Sequence, residues 1–195
     1  MTADFSKEKI RSEVSVAIRA MSEAGKSLAS DDILRKLSLN EAFRLAGTIL
    51  LYHSLPDEPS THTFIGEVAS SKKVLLPAVR GNDLILIPYQ GDDNLRKGRF
   101  HIMEPPSAPS VPFPQVDVAV IPGRAFDLNG VRIGRGAGYY DRLLHQRFMA
   151  ETHRVGICFD CQIRESLPAT SFDVPMHEII TENRSIMVAK EHIHP

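Results

Sequence analysis

The stretch VDVAVIPGRAFDLNGVRIGRGAGYYDRLL, residues 116–144, decides how this chain is read. It opens with Val116, Val118, Val120 and Ile121, a short apolar run rich in β-branched residues, and Pro122-Gly123 brings that run to a stop. Such a run ended by a turn signal predicts a buried strand. Residues 124–133 are loop by composition, with Asn129-Gly130 as the turn. Gly134, Gly136 and Gly138 then recur at every second position, with Arg135 between the first two. A helix is predicted to follow at once, because Tyr139, Tyr140, Leu143 and Leu144 supply an apolar face and Asp141 suits the positive end of the helix dipole.

A strand, a glycine loop and a helix start together make an anion trap, since glycines let backbone N–H groups turn toward a ligand. Arg132 and Arg135 add full positive charges to it. Glycines at this spacing also serve plain tight turns; the two arginines and the adjacent carboxylate favour a phosphate site. Neither the Walker lysine pattern nor the G-x-x-G spacing of dinucleotide folds is present. A nucleotide bound here is held by a different kind of loop.

These residues carry a resemblance. Asp117 with the apolar run to Pro122, Ala125-Phe126-Asp127, Gly130, Arg132, Gly134-Arg135-Gly136 and Gly138-Tyr139-Tyr140-Asp141-Arg142 together resemble the signature of the 5-formyltetrahydrofolate cyclo-ligase family. Ile133, where the family usually has leucine, and Ala137, where it often has glycine, are small departures. The resemblance extends from Lys7 to Thr181.

Working outward, 195 residues with 43% hydrophobic content can bury a full core and are expected to form one domain over residues 1–195. A net charge of −1 gives no electrostatic case for nucleic acid or an anionic membrane. No apolar run approaches the roughly 20 residues of a membrane span. Asp4, Lys7 and Glu8 stand where a secretory signal is apolar, so the expected location is cytoplasmic. Cys158 and Cys161 form a C-x-x-C, but no second pair or His-x-x-His completes a zinc site, which predicts two ordinary thiols on or just after a strand.

Helical spacing of Ile10, Val14, Ala17, Ile18 and Met21 predicts a first helix over residues 6–21, with Ser6 as N-cap. Ser30-Asp31-Asp32 reads as the cap of a second helix running through Leu37, and Asn40-Glu41 as the start of a short third ending near Gly47. Residues 48–53 are the first strand, followed by a polar loop, 54–61, at the edge where ligands sit in open α/β folds. A helix is expected over 62–70. Strands follow over 73–79 and 83–89, joined by a hairpin at Arg80-Gly81-Asn82. Residues 99–103 read as extended, 105–114 as a proline-rich connector and 154–159 as a strand. His192 and His194 are expected to be exposed at the tail.

Alternating strands and helices predict an α/β fold with a mostly parallel sheet. The resemblance implies more: a three-layer Rossmann-like open sheet with helices on both faces. It further implies ATP-dependent closure of 5-formyltetrahydrofolate to 5,10-methenyltetrahydrofolate with release of ADP and phosphate, the formyl oxygen being phosphorylated first. A lysine and an arginine four apart are in most helices a solvated polar face; in terms of the resemblance Lys7 and Arg11 reach the nucleotide's phosphates, with Lys9 as the alternative lysine. ATP is held by these two and by Arg132, Ile133, Gly134, Arg135, Gly136, Ala137, Gly138, Tyr139 and Tyr140. The folate meets His53, Glu58 of the family's Glu-x-x-Thr loop, Phe126 as a wall of the pterin pocket, and Arg135, Gly136, Ala137, Gly138 and Tyr139. Arg135, Tyr139 and Glu58 are the catalytic candidates, and Asp141 and Asp173 are the Mg²⁺ ligands. Where a second aspartate commonly follows Asp173, this chain has His177. The expected partners are the two small-molecule substrates, with neither nucleic acid nor membrane, and the expected state is a monomer. Nucleotide-independent activity would mark a sugar-phosphate isomerase or acyl-CoA transferase instead, and binding without turnover a non-catalytic folate or nucleotide carrier.

Overall fold

The computed structural model describes residues 6–98, 103–105 and 115–189, so the readings for 99–102, the connector 106–114 and the tail histidines lie outside the described residues. Its centre is a seven-stranded sheet in the order β12-β11-β9-β6-β1-β2-β3. The strands are β1 (Thr48–Leu50), β2 (Lys73–Arg80), β3 (Asp83–Pro88), β6 (Val118–Pro122), β9 (His153–Ile157), β11 (Glu178–Ile180) and β12 (Ser185–Met187). The five inner strands are parallel, and an antiparallel strand closes each edge. Two short ribbons accompany the sheet: β4 (Arg96–Lys97) with β5 (Met103–Glu104), and β8 (Arg132–Ile133) on β7 (Ala125–Asp127) on β10 (Ile163–Arg164).

Burial alternates along the inner strands while both faces stay covered. Ile49, Val74, Leu76, Val118, Val120 and Val155 point into one apolar layer, and Leu50, Leu75, Ala119 and Ile121 into another. That is the consequence of a two-residue side-chain period in strands with no wet face. The first layer is filled by α1 (Lys7–Ala20), α2 (Glu23–Leu39), α3 (Glu41–Leu45) and α4 (His62–Ala69), the second by α5 (Tyr139–Leu144). The three-layer α/β expectation therefore holds. Along α1, Ile10, Val14 and Ile18 are buried at four-residue spacing, and Ser6 caps the helix by accepting the Lys9 N–H at 3.3 Å.

Three local expectations need correction. The second helix starts at Glu23, where Ser22 accepts the Gly25 N–H at 3.0 Å, and Ser30 lies inside it. The Ser30 hydroxyl donates back to the Lys26 carbonyl at 2.7 Å and accepts the Ser60 N–H at 3.0 Å, a mid-helix use of a residue type that usually caps. The first strand is regular only to Leu50, because the Tyr52 carbonyl is taken by the Thr61 hydroxyl instead of a ladder partner. Residues 124–133 are not plain loop; they form the β7–β8 hairpin. Buried Asp127 holds that turn, with Oδ1 accepting the N–H groups of Asn129 and Val131 and Oδ2 that of Leu167. Strands this short carry no readable period.

Phe126 also departs from expectation. Its ring is fully buried in the second apolar layer and does not line the cavity described below. It occupies the space that Gly123 and Gly156 leave open, since a Cβ at either position would come within 2.7 Å and 2.5 Å of the ring. Gly156→Ala is therefore expected to lower stability by about 1–3 kcal/mol, the usual cost of overpacking, and Gly156→Ala with Phe126→Leu to recover part of it. Urea unfolding of both variants checks this. No loss in Gly156→Ala would show that the ring can move aside.

Candidate functional site

The parallel strands run away from β1 in two directions, to β2 on one side and through β6, β9 and β11 on the other. Ligands of open α/β sheets bind at such a switch point, beyond the carboxyl ends of the strands. Here the chain leaves β1 into the loop 51–61 and leaves β6 at Pro122-Gly123. A cavity of about 570 Å³ lies there, lined among others by Lys7, Arg11, Glu58, Arg132, Asp141 and Asp173.

The loop after β1 is built by its own side chains. Thr61, fully buried, donates its hydroxyl to the Tyr52 carbonyl at 2.5 Å and accepts the Ser54 N–H at 3.2 Å, and Ser54 Oγ accepts the Thr61 N–H at 3.1 Å. This clasp fixes both ends of the loop. Within it Glu58 Oε2 accepts the Leu55 N–H at 2.9 Å, which leaves Oε1 to meet Arg135 at 3.0 Å. Thr61 of the Glu-x-x-Thr pattern is thus the clasp that presents the glutamate.

The glycine loop bends where the backbone demands it: Gly136 has φ +106° and Gly138 φ +68°, conformations that side-chain-bearing residues rarely adopt. Gly134 has a different task. A Cβ there would come 2.7 Å from Arg132, so its absence makes room for that guanidinium. Arg132 is buried, pairs with Asp141 at 2.6 Å, lies 5.7 Å from the Tyr140 ring centroid, and keeps a buried Nε–H with no acceptor among the described residues. The helix that follows has six residues, so full charges rather than a long helix dipole dominate here.

Helix α1 lies against this loop. Arg11 donates to the Gly134 carbonyl at 2.9 Å, and Lys7 pairs with Asp173 at 2.8 Å. Lys7, not Lys9, lines the cavity. Burial opposes ionisation of Asp173, yet Lys7 and the N–H and hydroxyl of Thr170 hold its carboxyl below the usual range. Arg11 is bonded to a carbonyl where its neighbours are bonded to carboxylates, so its charge is the least neutralised. The remaining candidates, His53, Ile133, Arg135, Gly136, Ala137, Gly138, Tyr139 and Tyr140, line the same cavity. Tyr139 reaches the Gly81 carbonyl at 3.4 Å and carries the Arg142 guanidinium 5.2 Å from its ring centroid, which ties the glycine loop to the β2–β3 hairpin. His53 stacks on His62 with ring centroids 3.9 Å apart; burial first and that neighbour second bring its pKa down to about 4.

His177 lies elsewhere. It stacks on His153 at 4.9 Å and meets Arg154, outside the cavity lining. Cys158 and Cys161 are separate thiols, the first buried just past β9. Among the described residues no three His, Cys, Asp or Glu side chains group to hold a metal by themselves. Asp141 and Asp173 do line one cavity, and Mg²⁺ takes one or two carboxylates together with phosphate oxygens and waters. The residues present fit that ion only alongside a bound phosphate.

Asp57 and Arg124, which support the site from behind its lining, have no counterpart among the sequence candidates. Arg124 is 5% exposed and donates to Asp57 and to Ser15 of α1; Asp57 accepts from Arg135 with its other oxygen. Asp57 stands beside Glu58 in a polar loop and Arg124 directly after Pro122-Gly123, so their positions were visible and their partnership was not.

Residues 3–182 match the sequence model of the 5-formyltetrahydrofolate cyclo-ligase family. The chain is similar to 5-formyltetrahydrofolate cyclo-ligase of Escherichia coli (strain K12), 31% identical over 146 residues, which are 72% of this chain and 80% of that protein. It is 28% identical over 195 residues to the 5-formyltetrahydrofolate cyclo-ligase of Mycolicibacterium smegmatis, covering 95% and 98% of the two chains. Among solved structures it superimposes on 5,10-methenyltetrahydrofolate synthetase of Aquifex aeolicus with a TM-score of 0.84 at 31% identity, covering 94% of this chain and 93% of the other.

Burial raises the Asp57 pKa, but the hydrogen bonds and charges of Arg135 and Arg124 outweigh it and hold the carboxyl below its ordinary 3.8. A depressed folded value stabilises the protein above the unfolded value and is lost as pH falls through the folded one. The Tm gap between wild type and Asp57→Asn is therefore expected to be full at neutral pH and to close in strong acid. A gap that stays constant in thermal melts across that range would remove the bridge from the stability of the loop.

Proposed function

The chain belongs to the 5-formyltetrahydrofolate cyclo-ligase family, and on that footing we propose that it closes 5-formyltetrahydrofolate to 5,10-methenyltetrahydrofolate at the expense of ATP, releasing ADP and phosphate. The observation that supports this reading best is the convergence of Lys7, Arg11, Arg132 and Arg135, from α1 and the glycine loop, on one cavity of about 570 Å³. Residues 1–195 act in this reading as one catalytic domain in the cytoplasm.

An amide-like formyl oxygen is a very poor leaving group. The formyl oxygen attacks the terminal phosphorus and ADP departs; the second nitrogen then attacks the activated carbon, its proton passing to a carboxylate, and phosphate leaves with the former formyl oxygen. For such a transfer a protein contributes position and charge. Arg11 and Lys7 hold the triphosphate from α1, Arg132 offers the Nε–H that has no acceptor among the described residues, and Arg135 lies between triphosphate and folate. Glu58 is fixed by the Leu55 N–H with one oxygen toward Arg135, an acceptor-only group placed to receive the proton of the attacking nitrogen. Tyr139 packs on the folate side of the glycine loop. Mg²⁺ bound by Asp141, Asp173 and the phosphates would supply further neutralisation of charge at the transferred group.

Protein mixed with Mg-ATP and 5-formyltetrahydrofolate is expected to give the ultraviolet absorbance of the conjugated methenyl product, and to give none without nucleotide. Product without ATP would overturn the reading. Arg135→Ala is expected to lower kcat/KM for both substrates by about one to two decades, the loss of one charge-assisted contact; an unchanged rate would take Arg135 out of the site.

The metal assignment has its own test. Asn at position 141 or 173 keeps the shape and removes the charge, so Asp141→Asn and Asp173→Asn should each lower turnover at saturating ATP and raise the Mg²⁺ needed for half-maximal rate. Rate-against-Mg²⁺ curves that superimpose on wild type would leave both aspartates as partners of Arg132 and Lys7 only.

A further inference from the structure

One buried ionisable group in the cavity wall takes no part in that mechanism. Glu104 is 6% exposed and lines the cavity on β5, which packs on β2. Its neighbours along the wall are apolar: Pro77 and Val79 from β2 and Leu84 from β3. This wall is distinct from the cationic one that α1 and the glycine loop supply. The side chain is held in place, for it accepts the backbone N–H of Val79, and a Cβ at Gly98 would come within 2.4 Å of its carboxyl group. Glu104 joins none of the ion pairs found among the described residues.

A carboxylate has about four lone-pair sites, and the Val79 N–H uses one of them. Burial pushes the Glu104 carboxyl up, with the Val79 bond and the charge of Arg80 pulling it back. Such a group gains from any ligand that brings N–H donors into the cavity without water. The 2-amino-4-oxopyrimidine ring of a reduced pterin carries a ring N–H beside an exocyclic NH₂, two parallel donors with the spacing of a carboxylate's two oxygens. Its flat faces are matched by the apolar side chains beside Glu104.

We propose that Glu104 is the residue that selects the pterin, its carboxylate accepting both N–H groups of the aminopyrimidinone edge. The assignment rests on the folate reading given above. It makes β5 and the β2–β3 edge the specificity wall of the cavity, while α1 and the glycine loop hold the triphosphate.

Glu104→Gln separates recognition from structure, since the amide oxygen can still accept from Val79 while the NH₂ meets a donor edge with a donor. Calorimetry on the full chain would compare 5-formyltetrahydrofolate with its 2-desamino analogue, and ATP separately. Glu104→Gln is expected to weaken folate binding about ten- to a hundredfold, to leave ATP affinity and Tm unchanged, and to lose the wild-type preference for the parent over the analogue. Equal folate affinity in wild type and variant, or a preference that survives in the variant, overturns the assignment. Should the variant fail to fold, wild type alone decides, because equal binding of parent and analogue also overturns it. Wild-type protein that binds neither pterin defeats the folate reading itself, an outcome distinct from loss of selectivity.

Discussion

A guanidinium taken out of water must be given acceptors and a countercharge, and most of the site follows from how that requirement is met at Arg124. Its side chain donates to Ser15 on α1 and to Asp57 in the loop after β1. Its backbone N–H bonds the Ile133 carbonyl across the β7–β8 hairpin, and its own carbonyl accepts from Gln162. One residue thereby joins the first helix, the loop after the first strand, the hairpin before the glycine loop and the turn after β9. Removing it would leave Asp57 to Arg135 alone and α1 held over the strand ends by Arg11, by the Lys7–Asp173 pair and by packing.

The sheet explains why the site forms where it does. Strands covered on both faces bury all of their middle residues, so polar function is confined to their carboxyl ends and the segments that leave them. There the chain collects charge from positions far apart in sequence: Lys7 and Arg11, Asp57 and Glu58, Arg132 and Arg135, Asp141, and Asp173. Glycines 123 and 134 are part of the same construction, one leaving room for Phe126 beneath and the other for Arg132 alongside.

Much of this was legible in the sequence, for identifiable reasons. The apolar run ending at Ile121, the helical spacing of Ile10, Val14 and Ile18, and the hairpin at Arg80-Gly81-Asn82 are strong local signals, and each produced the element expected. The β7–β8 hairpin escaped because its strands have two or three residues and are held by a buried aspartate. The start of α2 escaped because Ser30 can cap or bond backward, and only the packing against Ser60 decides which. In the site, the motif residues were legible because they crowd into one stretch. Asp57, Arg124 and Glu104 were not, since what distinguishes them is a partner or an apolar wall supplied from elsewhere in the chain. Phe126 was misplaced for the same reason: an aromatic ring in a motif has no visible direction until the glycines opposite it are placed.

Three of the four cations that α1 and the glycine loop bring to the cavity are already paired with carboxylates, Arg11 being the exception. Lys7 rests on Asp173, Arg132 on Asp141, and Arg135 on Asp57 and Glu58. A phosphorylated ligand of the kind proposed would therefore enter largely by exchange, its phosphate oxygens displacing or sharing carboxylates already in place. Such a cavity presents little net charge at a distance, so it does little to steer arbitrary polyanions, and its attraction depends less on ionic strength than that of a bare cluster of arginines. What it rewards is a ligand that satisfies several guanidinium groups at once and in the right geometry, which makes the carboxylates a filter against the many smaller anions of a cell.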